Sequence, residues 1–375
     1  MPTHLHIVTS ELPNAVDNSQ MLDAYFLIKS LHEQKINIHL HCLSNDKLEP
    51  TPQLNEICES IAYYDRDLAK ISFKLDLPYH VSTRSSNKLI ARLNQDNFPI
   101  IFMGLATSYA IYDNYLSSDR KTAIRLSKNE SAYFHQLSSL VPWRGKKLHY
   151  EVEAWRMNKY FKRMVSKKTT FFTSSKNLHT ALNHRSENPS QWVPLFTGMP
   201  PVFHQKDKGH FCLFHGRLSN EETAYAAFWL LEHVFNTLEI PFVIAGSNPS
   251  THLENAAHVR QHTCLVANPG DKEMQELIKK AQIVLSPTFI QAEGDDNLLQ
   301  SLALGRHILI NPKRSKVKEI KSLCHTAQSP EEFIEKTKQL FDTEFTEEEK
   351  YGRQQLLNDR FKDQESLDKL LSWIL

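Results

Sequence analysis

Residues 211–222 read FCLFHGRLSNEE, and this stretch decides the fold of the 375-residue chain. It begins with a short apolar run, Phe211–Phe214, that has the length and composition of a buried β-strand. A turn containing Gly216 follows, and a helical pattern then begins in which Ser219 and Glu222 have the spacing of a capping box. A strand, a glycine-containing turn and a helix in this order predict one unit of a parallel β-sheet.

The same alternation of short apolar runs and helical segments continues along almost the whole chain. Two of the runs, Ile100–Met103 and Phe242–Ala245, are apolar at every position, which suits strands that are covered on both faces. We therefore predict an α/β fold with parallel sheets. The predicted strands are Leu5–Val8, Ile36–Leu43, Ile61–Tyr64, Pro99–Met103, Ala123–Leu126, Thr169–Thr173, Phe211–Phe214, Pro241–Ala245, Thr263–Val266, Ile283–Leu285 and His307–Ile310.

A proline-rich stretch near the middle of the chain, residues 188–208, indicates a linker between two domains. The length allows two domains at roughly 100–200 residues each. We predict a first domain over residues 1–190, a linker over 191–209 and a second domain over 210–355. A C-terminal helix over 356–375 is expected to pack back on the first domain.

Composition and charge exclude several classes of protein. The 44 Lys and Arg residues nearly balance the 43 Asp and Glu residues, which argues against a nucleic-acid binder that acts through bulk charge. The five cysteines have no CxxC or CxH spacing and lie among apolar residues, as buried reduced thiols do. No signal peptide or membrane-spanning run is visible, so we expect a cytoplasmic protein whose membrane contact, if any, is peripheral.

Glycine placement points to the second domain as the ligand-holding one. Seven of the ten glycines lie between Gly198 and Gly305, and most of them follow a predicted strand. Glycine there lets the backbone approach a ligand at the carboxyl ends of the strands. Arg217, on the turn that leads into a helix, is a candidate contact for a diphosphate. The alternative is a solvated arginine or one that pairs with a surface carboxylate. No GxGxxG or P-loop motif occurs.

A second candidate segment, residues 291–305, is a polar loop that leads into a helix ending at Gly305. Such a loop suits the recognition of sugar hydroxyls and phosphate, with Glu293 or Asn297 as the contacting group. Asp295 and Asp296 are more simply explained as charges that complement the helix dipole.

In the first domain, Arg125 and Lys128 end a predicted strand and would face a cleft between the domains. A structural salt bridge from this pair to Glu130 or Glu151 is an equally good interpretation. The 19 histidines show no paired metal-ligand spacing, so no metal site is predicted.

Residues 145–168 have the periodicity of a long helix. Tyr150, Ala154, Met157, Phe161 and Met164 form its apolar face. The opposite face carries the basic residues Arg156, Lys159, Arg163 and Lys167. This pattern predicts either a core-packed helix with a solvated face or adhesion to anionic lipid or a lipid-linked acceptor.

The order and spacing of these segments resemble GT-B glycosyltransferases. The HGRLS turn (215–219), the segment IAGSNP (244–249) and the loop and helix from Gly294 to Gly305 carry the resemblance. It extends through Arg125–Glu130, the long basic helix and the segment 173–175, and it is closer to a group common in Bacteroidota that is related to family-four retaining enzymes.

The resemblance implies two doubly wound, Rossmann-like domains with the site in the cleft between them. It also implies transfer of a sugar from a nucleotide-sugar donor to a glycan or lipid-linked glycan, as in polysaccharide biosynthesis, at the inner face of the membrane if the acceptor is lipid-linked. Anomeric configuration would be retained, and no metal or cofactor beyond the donor would be needed.

Site residues follow from the same resemblance. The implied catalytic residues are Arg125, Ser127 and Glu293. The implied donor-binding residues are Gly216, Arg217, Gly246, Asn268, Gly294, Asn297, Leu298 and Gln300. The chain departs from the pattern at three of these positions, because Ser127 stands where relatives carry histidine, Asn297 where closer relatives carry lysine, and Gln300 where the general family carries a second glutamate.

These departures keep two other functions open. One is a GT-B protein without catalytic activity that binds glycan or nucleotide or supports a partner enzyme. The other is a sugar-nucleotide epimerase or a phosphorylase of the same fold, for which the sequence shows no distinctive residue.

Overall fold

The structure is a computed structural model that describes residues 3–13, 19–45, 49–70, 74–183, 190–198, 202, 208–291, 296–315, 318–360 and 363–375. Its strands form two sheets, and every strand pair in them is parallel. The strands are β1 (His4–Thr9), β2 (Asn37–Cys42), β3 (Ser60–Tyr63), β4 (Ile100–Met103), β5 (Thr122–Leu126), β6 (Thr170–Thr173), β7 (Ser190–Trp192), β8 (Phe211–His215), β9 (Phe242–Gly246), β10 (Thr263–Ala267), β11 (Ala281–Leu285), β12 (His307–Ile310) and β13 (His325–Thr326).

Helices connect the strands and cover both sheets. They are α1 (Ser19–Glu33), α2 (Pro52–Ile57), α3 (Tyr79–Ser82), α4 (Asn87–Leu93), α5 (Tyr109–Tyr112), α6 (Glu130–Leu140), α7 (Arg144–Val165), α8 (Lys176–Asn183), α9 (Glu221–His233), α10 (Thr251–His258), α11 (Asp271–Lys280), α12 (Asp296–Leu304), α13 (Lys318–Ser322), α14 (Pro330–Asp342), α15 (Glu347–Arg360) and α16 (Asp363–Ile374). A short 3-10 turn, Leu105–Thr107, follows β4.

The strand orders are β3-β2-β1-β4-β5-β6-β7 in the first sheet and β10-β9-β8-β11-β12-β13 in the second. All eleven strands predicted from the sequence are confirmed. The two strands that were not predicted, β7 and β13, are edge strands of three and two residues that are only partly buried. Because they have no apolar run of their own, their sequence carries no strand pattern.

Apolar side chains from helices on both faces of each sheet form the cores. The last helix, α16, packs Leu367, Leu370 and Ile374 into the core of the first sheet, beside α1. The Trp373 indole N–H also donates to the Thr170 hydroxyl on β6, at 3.1 Å. The end of the chain therefore returns to the sheet with which it began.

Not every cysteine is buried as the sequence suggested. Cys42, Cys58 and Cys212 are buried, but Cys264 is exposed, and all five cysteines are free thiols. The prediction for Cys264 is wrong because β10, the edge strand of the second sheet, has no buried residue along its length.

The long helix predicted over 145–168 is confirmed as α7. Tyr150, Ala154, Met157 and Met164 are buried as expected. On the opposite face, Lys159 and Arg163 are exposed. Arg163 pairs with Asp76 at 2.7 Å, and the Lys167 ammonium donates to the Asn114 side chain at 2.7 Å. Within the described part of the chain, no helix is long and apolar enough to cross a membrane.

Two turns of the second sheet approach each other more closely than side chains would permit. A Cβ atom on Gly246 would lie 1.8 Å from the carbonyl oxygen of Gly216. Gly216 has a φ of 150°, which favours glycine. The Leu218 N–H then donates to the Ser247 carbonyl at 2.9 Å. The ends of β8 and β9 are thus joined backbone to backbone.

A chain of polar side chains lies buried on the first sheet, where histidines of β1 and β2 face each other. The Tyr64 hydroxyl donates to His41 Nδ1 at 3.0 Å, and the His41 Nε2–H donates to His6 Nδ1 at 2.8 Å. The His6 Nε2–H then donates to the Asp96 carboxylate at 3.0 Å, so that every proton in the chain has an acceptor. Burial lowers the pKa of His6 to about 4 and that of His41 to about 3. Both imidazoles are therefore neutral at pH 7.

These histidines make stability depend on pH. Because their folded pKa values lie below the unfolded value of about 6.5, the unfolded chain binds more protons as the pH falls below 6.5, and unfolding becomes easier. We expect each histidine to remove about 2 kcal/mol of stability between pH 6.5 and pH 5. Urea unfolding of His41→Leu across this range should show a shallower loss than wild type. Exposed His258→Gln should keep the wild-type slope, and identical slopes for all three proteins would contradict the assignment.

The close approach at Gly246 makes a second prediction. Gly246→Ala should lower the free energy of unfolding by about 2 kcal/mol or more, because the new methyl group meets fixed backbone rather than a movable side chain. Gly352 is the matched control, since a Cβ there meets nothing within 4 Å and alanine suits a helix interior better than glycine. Gly352→Ala should be neutral or stabilising in the same thermal melts, and a Gly246→Ala variant as stable as wild type would refute the packing.

Candidate functional site

The carboxyl ends of the second sheet present a row of turns in which backbone and short polar side chains hold one another. The Asn268 N–H donates to the Gly246 carbonyl at 2.9 Å, and the Asn268 side-chain oxygen accepts from the Asn248 N–H at 2.8 Å. Both asparagines have positive φ values near 50°, which asparagine tolerates better than most residues. Gly216, Gly246 and Asn268, all predicted to bind the donor, are therefore brought together in one rigid edge.

Arg217 extends from this edge toward the first sheet. Its guanidinium pairs with Glu11, which follows β1, and its Nε–H donates to the Ser219 hydroxyl at 3.0 Å. Only 12% of the side chain is exposed, and burial lowers its pKa, although an arginine stays charged at neutral pH. The sequence allowed Arg217 to contact a diphosphate, to be solvated or to pair with a surface carboxylate. In the structure it pairs with a carboxylate, and this partner comes from the other half of the chain.

The capping box predicted for the next helix is wrong. Helix α9 begins at Glu221, and its N-cap residue, Asn220, makes no side-chain capping bond. Ser219 accepts from Arg217 instead, and the Glu222 carboxylate accepts from the Tyr133 hydroxyl at 2.6 Å. Ser219 and Glu222 therefore bond to Arg217 and Tyr133 instead of to the end of α9, and the local sequence does not indicate these partners.

Contacts from the first half of the chain hold the start of α9 in place. Besides the bond between Tyr133 and Glu222, Lys146 of α7 pairs with Glu221. The Gln291 N–H also donates to the Gln136 side chain, so the loop after β11 touches α6. These contacts keep the carboxyl ends of the second sheet facing the first half.

A groove of about 870 Å³ lies between the two halves, and we call it the inter-sheet groove. It is lined by Tyr25 and Phe26 of α1, by Asp271 at the start of α11 and by Gln300 of α12, among other residues. Burial raises the pKa of Asp271. Gln300 thus lies at this groove, and its contact with the donor stays a prediction.

Leu298 does not line this groove. It is fully buried in the apolar core of the second sheet, and its neighbour Leu299 reaches the groove instead. The Leu298 side chain therefore faces the core rather than the groove, and donor binding at Leu298 stays a prediction. Glu293 and Gly294 lie outside the described residues, as does the side chain of Asn297.

The second cavity, of about 620 Å³, lies wholly in the first half, and we call it the first-sheet cavity. Its polar lining comes from Lys128, Asn129 and Glu130 after β5, and from Asn158 and Lys162 of α7. Glu130 accepts from the Leu105 N–H at 2.8 Å, and burial raises its pKa. The sequence had suggested Glu130 only as a salt-bridge partner, and its contact with the turn after β4 has no sequence signal.

Arg125 has a different role from either interpretation of the sequence. It is 1% exposed and pairs with Asp23 of α1 at 2.5 and 2.7 Å, rather than with Glu130 or Glu151. Its other N–H groups donate to the carbonyls of Val193 and Pro194. With its guanidinium enclosed in this way, Arg125 holds structure rather than facing a cleft.

Ser127 is also withdrawn, with 7% of its surface exposed, and its carbonyl accepts from the Ser174 hydroxyl. On the second sheet, His215 lies just before the glycine turn and bonds to the Ser301 hydroxyl at 2.8 Å. Burial lowers the pKa of His215 to about 4, so it is neutral at pH 7. The structure does not bring Arg125 and Ser127 to the groove.

Three side chains that could together hold a cation, His307, His325 and Glu349, lie within 4.8 Å of one another. They lie at the amino ends of β12 and β13, the edge opposite the glycine turns. Glu349 accepts from the Thr346 N–H, and His307 bonds to the Thr343 carbonyl. These bonds give the group a structural role away from the grooves.

No protein-family model matches the sequence, and no curated protein matches it either. Solved structures do match. S. aureus TarM, in complex with fondaparinux, alpha-GlcNAc-glycerol and UDP, is 8% identical with a TM-score of 0.70, covering 99% of both chains. Sucrose-phosphate synthase from Thermosynechococcus elongatus is 10% identical with a TM-score of 0.69, covering 99% of this chain and 98% of that one.

A third match is a UDP-glucosyltransferase from Polygonum tinctorium that can glucosylate indoxyl, at 13% identity and a TM-score of 0.56, covering 100% of this chain and 99% of that one. These neighbours are GT-B glycosyltransferases, and the likeness runs through both sheets. The chain therefore has the GT-B fold, with two Rossmann-like sheets whose carboxyl ends meet at a groove.

Proposed function

We propose that the protein is a glycosyltransferase that moves a sugar from a nucleotide-sugar donor to a glycan or lipid-linked glycan. The observation that carries the proposal is the glycine edge formed by Gly216 and Gly246, from which Arg217 extends toward the first half. This edge lies at the carboxyl ends of parallel strands, where open α/β sheets bind ligands. The match to nucleotide-sugar enzymes over the whole chain supports the same function.

The donor diphosphate would lie between Arg217 and the start of α9. A guanidinium donates two parallel N–H bonds to phosphate oxygens, and uncapped helix N–H groups add further donors. Of the two acidic residues of the first turn, Glu221 pairs with Lys146, which offsets its charge, and the Glu222 carboxylate accepts from the Tyr133 hydroxyl. The nucleoside would extend into the inter-sheet groove beside Gln300, where Asp271 offers a carboxylate to hydroxyl groups.

The acceptor would occupy the first-sheet cavity. Its lining of Asn129, Glu130 and Asn158 offers amide and carboxylate groups that suit sugar hydroxyls. Lys128 and Lys162 add positive charge on the same wall. This composition fits a hydroxyl-rich acceptor that also carries phosphate, as a lipid-linked glycan does.

Catalysis in such a site depends on positioning and on stabilising the leaving diphosphate. Arg217 and the N–H groups of α9 would take up the negative charge that develops there. We also propose that the anomeric configuration is retained and that no metal ion is needed, and both points rest on the family resemblance alone. Arg125 and Ser127 have no place in this scheme, since both are buried.

The burial of Arg125 and Ser127 is also what favours the second candidate, a GT-B protein that binds nucleotide or glycan without catalysing transfer. Product analysis separates the two. If the protein is an active transferase, incubation with the nucleotide sugar that binds best should release nucleoside diphosphate slowly by hydrolysis. Release should be faster when an acceptor is present. Specific binding without any release would favour the non-catalytic protein.

Thermal-shift screening of nucleotides and nucleotide sugars identifies the donor, since a specific ligand stabilises the folded state by mass action. Arg217→Ala should then weaken nucleoside-diphosphate binding about 10–150-fold, as measured by calorimetry, because a charge-assisted bond to phosphate contributes roughly 1.5–3 kcal/mol.

Two further variants make this test specific. Arg217→Lys keeps the charge but loses the fork of parallel N–H donors, so its affinity should lie between wild type and alanine. Glu11→Gln removes the carboxylate that pairs with Arg217 in this structure, so diphosphate binding should be as strong as in wild type or stronger. Unchanged affinity in a folded Arg217→Ala protein would show that the diphosphate lies elsewhere.

A further inference from the structure

The outward face of α7 carries large apolar side chains that nothing in the described chain covers. Leu148, Val152 and Trp155 are 65%, 41% and 45% exposed, and Trp143, just before the helix, is 71% exposed. We call these four residues the outer stripe. Large apolar groups gathered on one exposed helix mark an interaction surface more often than scattered ones do.

The spacing places the three helical residues of the outer stripe opposite the buried face of the helix, and Trp143 lies just before the first turn. Leu148, Val152 and Trp155 stand at i, i+4 and i+7, so they share one side of α7. Met157 and Tyr160, which point into the core, are fully buried on the other side. A helix of 22 residues is about 33 Å long, so α7 is an extended ridge with apolar groups on both sides.

The charge around the outer stripe is positive. Arg144, Lys147, Lys159 and Lys162 are all exposed on the same helix, and the Lys159 ammonium lies 4.0 Å from the centre of the Trp155 ring. The two acidic residues of α7 offset this charge only in part, because Glu151 alone of the two reaches the outer surface. Glu153 is 1% exposed and bonded to His80, and the Glu151 carboxylate accepts from Ser138 and pairs with His135.

Two more exposed apolar side chains come from outside α7. Leu68 and Leu75 are 54% and 60% exposed. The residues just after Leu75 contact α7, because Asp76 pairs with Arg163 and the Tyr79 and His149 rings lie 5.8 Å apart between their centres.

We propose that the outer stripe docks on an anionic lipid bilayer, with Trp143, Leu148 and Trp155 entering the headgroup region and the lysines and Arg144 contacting lipid phosphates. Tryptophan and leucine beside lysine and arginine are the combination that binds the membrane interface. A second copy of this chain fits less well, since a two-fold contact would set the same positive charges against each other.

The same helix forms a wall of the first-sheet cavity through Asn158, Phe161 and Lys162. Docking would therefore bring the mouth of that cavity to the lipid surface and would restrict the acceptor to the lipid-linked class. This last step rests on the proposed function, whereas lipid binding itself does not.

The test is partition of the full-length protein to unilamellar vesicles, measured by co-sedimentation at low and high salt. Vesicles of phosphatidylcholine with about one third phosphatidylglycerol should bind the protein at least about tenfold better than phosphatidylcholine alone, and salt should weaken binding. Tryptophan emission should shift to the blue on binding. The shift should be absent in Trp143→Phe/Trp155→Phe, which still binds.

Two pairs of matched variants identify the surface. Leu148→Ser/Trp155→Ser should lose binding at least about tenfold, whereas Val259→Ser, at a 79% exposed apolar residue of the other half, should not. Lys147→Glu/Lys159→Glu should abolish binding to anionic vesicles, and Lys88→Glu/Lys338→Glu, with the same change in net charge, should bind as wild type. Thermal melts show that each variant is folded.

Equal partition to neutral and anionic vesicles, or none at low salt, would overturn the proposal. A fall in oligomeric state on mutation of the outer stripe, without vesicle binding, would identify a second copy of the chain as the occupant. Nucleotide binding by calorimetry is measured in parallel. Outer-stripe variants that lose vesicle binding but keep nucleotide binding show that the lipid-docking proposal and the donor-site proposal are tested independently.

Discussion

One buried ion pair fixes the path by which the chain leaves the first sheet. Asp23 of α1 and Arg125 of β5 are each 1% exposed and meet in a two-pronged contact. The same guanidinium binds the carbonyls of Val193 and Pro194, and the same carboxylate accepts from the Phe196 N–H. Removing either partner would leave a buried charge, typically at a cost of about 3–5 kcal/mol. The segment that leaves the first sheet is therefore fixed in direction.

With that exit fixed, contacts at the facing surfaces set the groove. Glu11 meets Arg217 after the first strand of each sheet, and Tyr133 meets Glu222 between α6 and α9. Each joins a group from one half to a partner in the other. The cation that would hold a diphosphate is thus also a closing contact between the halves. A ligand that competes with Glu11 for Arg217 would couple donor binding to the separation of the two sheets.

Local patterns were enough to predict the strands and the long helix, because apolar runs and periodicity act over neighbouring residues. The glycine turn at Gly216 could likewise be placed, since a strand end and a helix start flank it. Partners from distant segments could not. Nothing local indicates that Arg125 meets Asp23, that Glu222 leaves its capping position for Tyr133, or that Leu299 rather than Leu298 reaches the inter-sheet groove. The apolar outer stripe of α7 was hidden because its lysines dominate the sequence pattern.

The central claim is that a nucleoside diphosphate binds at the carboxyl edge of the second sheet, facing the first half. Amide hydrogen exchange with and without the best nucleotide from the screen tests this location directly. The account predicts new protection at 215–222, 246–248 and 268–271, together with the segment around Glu11, and little change on the outward face of α7. Protection confined to α7 or to the first-sheet cavity, or no protection at saturating nucleotide, would contradict it.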